Sequence, residues 1–309
     1  MKKILMFDME NPLARHMARY FLDREVEVLG VGTNEKVLGS LKSCEGFSFK
    51  KFDLSKSDFL RSYLYGIDSI FIIDSSPLIL EKLDHLYQCL IHLKSRVPQV
   101  LLLSSYSVFG EPLQESYLED DLPKPDTEEA KTLRGAEIII ENYTRHLETK
   151  GAVLRVPKML SRKSDENEFI ELFKHLSKNT RFIIENKENF SLQWISKERL
   201  SDVCFKIFSS SWNDFEFFHA CDYENEIEEG FLELSEHFRS KSKIIQATKT
   251  EMILSGIMKL SSFLEEQLED YVRETKSLSF LKVPRLNCDK TESYFEFSDF
   301  TWQENISKK

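Results

Sequence analysis

Lys2-Lys3-Ile4-Leu5-Met6-Phe7-Asp8-Met9-Glu10-Asn11-Pro12-Leu13-Ala14-Arg15-His16 is the stretch around which this chain is organised. A short apolar strand, Ile4 to Phe7, runs into a turn and then a helix from Leu13 to Leu22, which is how dinucleotide-binding α/β domains begin. Such turns carry glycines, because positive φ and bare backbone N–H groups let phosphate oxygens approach the positive end of the helix dipole. Side chains stand there instead. Asp8 and Glu10 also bring carboxylates toward a pyrophosphate, a like-charge cost of roughly 4 kcal/mol per pair at about 4 Å and an effective dielectric near 20. One such pair weakens binding on the order of several hundredfold. Ala14 is the mild change, since only helix-on-strand closeness is asked there. The turn predicts a kept scaffold with its phosphate chemistry lost; the alternative is an α/β domain whose cofactor binds in another way.

Outward from this turn, strands and helices alternate with short connections. Val26 to Val31 reads as a strand ending at Gly32-Thr33-Asn34, where dinucleotide-binding units place an acid for the ribose or an Arg for a 2′-phosphate. Gly32 supplies neither. Phe47 to Phe52 is the next strand, ending at Asp53-Leu54, either an adenine-side pair or the N-cap of a helix from Ser55 to Tyr63. Ile67 to Ser76 is a near-continuous apolar strand with an acid, Asp74, at its end, as strands buried on both faces should be. A helix from Leu78 to Ser95 and a fifth strand from Gln99 to Leu103 complete the rhythm of a doubly wound parallel sheet.

The chain has 309 residues and a net charge of −10, with no Lys/Arg block, so a nucleic-acid backbone would be repelled. No run approaches the ~18 apolar residues of a membrane span, and Ile4 to Phe7 is too short for a signal peptide. A soluble, cytoplasmic protein is expected. Five scattered cysteines without Cys-x-x-Cys predict buried thiols and no disulfides. The seven histidines show no ligand spacing, so no metal is expected.

Ser104-Ser105-Tyr106-Ser107-Val108-Phe109-Gly110 and Glu119-Asp120-Asp121-Leu122-Pro123-Lys124-Pro125 resemble paired segments of the extended short-chain dehydrogenase/reductase family, the NAD-dependent epimerase/dehydratase group. Within it the chain is most similar to dTDP-4-dehydrorhamnose reductase-like proteins and the regulatory β subunit of methionine adenosyltransferase. The resemblance continues through Lys131-Thr132, Glu137 and the Leu-Arg-x-Pro of Leu154 to Pro157. It implies a Rossmann-like domain over 1–160 completed by 190–220. A smaller C-terminal α/β substrate-type subdomain is implied over 161–189 and 221–309. An overlay puts Asp8, Asn11 and Ala14 on the family's three turn glycines, Asp53 and Leu54 on its adenine-side pair, and Glu129 and Leu133 on its Tyr-x-x-x-Lys. In the family the Tyr moves the proton, and the Lys lowers its pKa and holds a ribose; neither is present here. Only Ser105 matches a catalytic position, and a lone Ser after a strand is more often a cap.

Coordinated loss at these positions, with strands and helices kept, implies a catalytically silent binding or regulatory subunit. No cofactor is then predicted, and a protein partner or self-association is. One alternative is an NAD(P)-dependent nucleotide-sugar epimerase, dehydratase or reductase with an atypical cofactor turn, in which Ser105 and Glu129 take over proton transfer. Another is a nucleotide or nucleotide-sugar sensor without turnover. Seven acids between Asp222 and Glu236 read as a solvated helix face rather than a docking site for a basic partner. Ile253 to Tyr271 reads as a long amphipathic helix.

Overall fold

A computed structural model describes residues 2–51, 62–74, 76–92, 98–160, 181–184, 191–210, 212, 214–237, 239, 243–246, 275–277 and 284–295. In chain order the elements are β1 (Lys3–Met6), α1 (Pro12–Leu22), β2 (Glu27–Gly32), β3 (Phe47–Lys51), β4 (Ser69–Ile72), α2 (Ile79–Ile91), β5 (Gln99–Ser105), α3 (Glu128–His146) and β6 (Gly151–Val156). There follow β7 (Lys158–Leu160), β8 (Arg181–Ile184), β9 (Ser191–Ser196), α4 (Lys197–Ser209), β10 (Phe215–His219), β11 (Tyr223–Glu226), α5 (Ile227–His237), β12 (Lys243–Gln246), β13 (Thr275–Ser277) and α6 (Asp289–Tyr294). Single 3-10 helices at Glu35–Ser43 and Tyr106–Phe109 complete the set.

Seven strands form one parallel sheet in the order β3-β2-β1-β4-β5-β6-β10. The order reverses between β1 and β4, which opens a crevice beyond the carboxyl ends of those two strands. Alternation along each strand explains the unbroken apolar runs. Ile4 and Met6 of β1, Phe71 of β4, Leu101 of β5 and Leu154 of β6 face α1 and α4, where Met17, Phe21, Leu200, Val203 and Phe208 close one core. Leu5, Ile70, Ile72, Leu102 and Val153 face the opposite way, onto Leu83, Leu86 and Leu90 of α2 and Ile140 and Tyr143 of α3. The rings of Tyr87 and Tyr143 stack at 4.2 Å where α2 meets α3. A sheet buried on both faces has no polar side to spare, so period-two patterning disappears from its sequence.

Beyond β6 the chain leaves this sheet and returns once, as β10. β9 pairs in parallel with β7 and antiparallel with β11, while β8 lies between β12 and β13. Trp194 on β9 stacks on Tyr223 of β11 at 4.0 Å. Gln193 donates to the Leu286 carbonyl at 2.7 Å and accepts from the Leu286 N–H at 2.9 Å. Leu286 also bridges to Tyr117, so residues 284–288 tie the loop after β5 to the second half of the chain.

The expected helix from Leu13 starts one residue earlier because Pro12 occupies its first position. The expected strand 67–76 is shorter, since the Asp68 carboxylate accepts from the Lys2 and Lys3 amides before it begins. The 3-10 helix at Glu35–Ser43 has no counterpart in the sequence reading; Gly39, at φ 54°, breaks it. The acid run is not a uniform solvated face. Asp222 accepts from the Ser196 amide at 2.6 Å, Glu224 pairs with Arg285, and Glu233 accepts from the Tyr223 hydroxyl at 2.6 Å. The helix expected at 253–271 lies outside the described residues. All five cysteines are free thiols.

Candidate functional site

The crevice between β1 and β4 is built first by the β1–α1 turn. Its ends are woven into the sheet by the Phe7 N–H donating to the Phe71 carbonyl at 3.0 Å and the Met9 N–H donating to the Val31 carbonyl at 3.1 Å. Asp8 sits at φ 57°, the left-handed conformation that a turn glycine would take, and Asp is among the few residues that tolerate it. The geometry asked of the first glycine is thus kept without the glycine. Met9 is buried beneath the turn, where only a glycine at position 30 leaves room: a Cβ there would lie 2.7 Å from the Met9 Cγ. Asn11, at the second glycine position, caps α1 by accepting from the Leu13 N–H at 2.9 Å. Ala14, at the third, is fully buried against the sheet. The Arg15 guanidinium folds back to donate to the Met9 and Glu10 carbonyls at 2.9 and 2.6 Å.

Asp8 and Glu10 do interact as neighbouring carboxylates, but burial, Asp74 and Lys82 act on Asp8 more strongly than Glu10 does. Burial, followed by the nearby Asp74 carboxylate, pushes the Asp8 carboxyl up to about 6. Asp74, at the end of the β4 segment, is itself buried, ion-pairs with Lys82 of α2 and accepts from the Ser76 amide at 2.7 Å. Glu10 reaches from the turn to the end of β2 while its carboxylate stays within hydrogen-bonding reach of the Asp8 side chain. Its Oε1 accepts from the Thr33 and Asn34 amides and, at 3.0 Å, from the Thr33 hydroxyl. Burial alone would raise its carboxyl, but the hydrogen bonds from Asn34 and Thr33 outweigh that and hold it below the usual range. Asp8, Glu10 and Asp74 set against Arg15 and Lys82 leave about one net negative charge at neutral pH, fewer than two free carboxylates. The several-hundredfold penalty inferred from sequence is an upper bound. Arg15, Lys82 and the direction of Glu10 were missed there; an Arg in the first turn of α1 and the Gly-Thr-Asn after β2 were the available signals.

The other expected positions fall apart as a catalytic group. Ser105 accepts from the Ser107 N–H at 3.2 Å and caps the 3-10 helix at Tyr106–Phe109, the role a lone Ser after a strand ordinarily has. Glu129 is exposed in the first turn of α3. Leu133, one turn further on, is 5% exposed and packs with Val108, Phe109, Tyr117, Cys221 and Leu286. An ammonium has no partner in that apolar cluster. Asp53 and Leu54 lie outside the described residues.

What the motif residues do build is a buried polar knot. Glu137 of α3 is fully buried and accepts from the Ser104 hydroxyl at 2.7 Å, from Arg155 Nε and Nη2 at 3.0 Å each, and from Arg134 Nη1 at 2.8 Å. Arg155 also donates to the Glu119 carbonyl at 3.1 Å, its guanidinium carbon lying 4.2 Å from the Phe217 ring centroid and 4.9 Å from that of Phe109. The Glu137 carboxylate thus ties β5, α3 and β6 together and Arg155 carries the tie to the loop at Glu119; the fully buried pair Glu137–Arg155 is charge-balanced, while Arg134 is partly exposed. His219 beside it is pushed down to about 3 by burial and by Arg155, and its Nδ1–H donates to the Asn287 carbonyl at 3.1 Å. Ser104, Glu119, Glu137 and Arg155, which carry much of the resemblance, serve the scaffold.

Among the described residues no three His, Cys, Asp or Glu side chains cluster as a metal site, and no helix is long and apolar enough to cross a membrane. The sequence matches no protein-family model and no curated protein. Solved structures match over nearly its full length. A provisionally assigned epimerase from Burkholderia cenocepacia J2315 is 15% identical, with a TM-score of 0.72 over 99% of this chain and 95% of that one. A dTDP-glucose 4,6-dehydratase from Bacillus anthracis str. Ames, in complex with NAD, is 10% identical, with a TM-score of 0.70 over 99% and 94%. A UDP-glucuronic acid 4-epimerase from Bacillus cereus, in complex with NAD, is 14% identical, with a TM-score of 0.68 over 98% and 96%. The fold is that Rossmann-like α/β architecture.

Proposed function

We propose that this protein binds a nucleotide sugar and an NAD-type dinucleotide in the crevice between β1 and β4, with an atypical cofactor turn and without the Tyr–Lys proton relay. The observation that carries the reading is the turn itself: Asp8 holds the left-handed backbone, Ala14 keeps the helix close, Arg15 braces the turn's carbonyls, and Lys82, paired with Asp74, lessens the negative charge at Asp8. The second half of the chain, retained over the length of structures named as nucleotide-sugar enzymes, supports a nucleotide sugar as the other ligand. The residues fit the adenosine half of a dinucleotide better than the nicotinamide half, where Leu133 is packed in apolar surroundings. NAD, when bound, supplies hydride chemistry; this chain would hold it through the turn of Asp8 to Ala14.

Titrating the protein with NADH and following its fluorescence, with and without dTDP- and UDP-sugars, tests the reading. Binding of NADH strengthened by a nucleotide sugar supports it; no binding of either at millimolar concentration rejects it. A second reading, the silent regulatory subunit, is favoured by exposed Glu129 and buried Leu133. It predicts a co-purifying protein partner or a stable self-assembly in native mass spectrometry.

A further inference from the structure

We propose that Glu10 supplies the ribose-binding acid that β2 lacks, and so makes the crevice selective for a dinucleotide with a free adenosine 2′-hydroxyl. The inference rests on the proposed function and adds a residue and a specificity to it. A strand-end acid in this fold serves the adenosine ribose, yet β2 ends in Gly32. The space of the missing side chain is occupied from elsewhere in the chain. A Cβ built on Gly32 would overlap Glu10 Oε2 and come within 2.9 Å of Oε1 and 3.0 Å of Cδ. The carboxylate borrowed from the β1–α1 turn therefore stands where an acid at position 32 would place its own.

It is also fixed there. Oε1 is taken by the Thr33 and Asn34 amides and by the Thr33 hydroxyl at 3.0 Å, Oε2 lies over Gly32, and the Asp8 side chain is within hydrogen-bonding reach of the carboxylate. These donors keep the carboxyl below its usual range, so it stays anionic at neutral pH. Such a group accepts hydrogen bonds from a ribose diol and repels a 2′-phosphate. No Arg or Lys contacts Glu10's carboxylate among the described residues to reverse that preference.

Calorimetric titration of the full chain with NAD and with NADP tests the assignment, alongside the Glu10→Gln variant, whose thermal melt verifies folding. NAD is expected to bind at least tenfold more tightly than NADP, and Glu10→Gln to bring the two within about threefold. Equal affinity in the unaltered chain, or a preference that survives Glu10→Gln, overturns the proposal and leaves Glu10 a structural latch. If Glu10→Gln does not fold, the NAD-to-NADP ratio of the unaltered chain decides alone. Neither dinucleotide binding while a dTDP- or UDP-sugar raises the melting temperature overturns this proposal but not nucleotide-sugar binding; no response to any of them overturns both.

Discussion

Asp8 shows how one side chain can be both the departure from a glycine turn and the means of keeping its shape. Its carboxyl is pushed up to about 6 against 3.8 for the free group, chiefly by burial and then by Asp74. Between those two values the folded state holds the extra proton, so stability falls as pH rises through that window and the deficit persists above it. Asp8→Asn keeps a residue that accepts positive φ and removes the charge. It should raise the melting temperature at pH 7.5, and the gain should vanish by pH 4 in melts across that range. For the same reason, a diphosphate should bind more tightly as pH drops through about 6, measured by calorimetry at pH 5.5 and 7.5. Leu133 marks the opposite limit. Leu133→Lys places an ammonium among apolar side chains and should destabilise the protein by about 3 kcal/mol or more in urea unfolding. The pair Glu129→Tyr with Leu133→Lys should therefore restore no reductase activity.

At the scale of elements, Glu137 adds a buried polar tie between α3, β5 and β6 to the apolar core and strand pairing that already join them. Glu137→Ala leaves Arg155 buried without its bidentate partner and should cost about 3–5 kcal/mol in denaturant unfolding. Asn11→Ala, which removes the cap of α1, should cost only about 1 kcal/mol. The central strands β1, β4 and β5 were legible because they are buried on both faces and read as short apolar runs between turns, while β6 was reached through its Leu-Arg-x-Pro resemblance. α1 was legible from Leu13 to Leu22; its start at Pro12 and its cap at Asn11 were signals the reading did not use. The direction of Glu10 was not, because it depends on Gly32, far off in sequence but adjacent in space, leaving room for a carboxylate. Nor was the knot at Glu137, whose partners Ser104, Arg134 and Arg155 come from β5, from its own helix and from β6. Ser105 reads the same in both, a capping hydroxyl after a strand.

For the whole molecule, the sheet order and the match to solved epimerases and dehydratases over 98–99% of the chain place the crevice, while the side chains decide its chemistry. In the proposed reading, the turn that keeps its backbone shape and Glu10 serve the adenosine side, while buried Leu133 and exposed Glu129 offer no proton relay. Binding without the usual proton transfer is what that reading predicts. Its most direct test is stopped-flow mixing of the protein with NADH and a 4-keto nucleotide sugar, reading bound-NADH fluorescence and absorbance at the same time. The account predicts a fluorescence rise from bound NADH with no loss of NADH absorbance over many minutes. Rapid oxidation of NADH at enzyme-like rates, or no fluorescence change at any concentration up to the millimolar range, would contradict it.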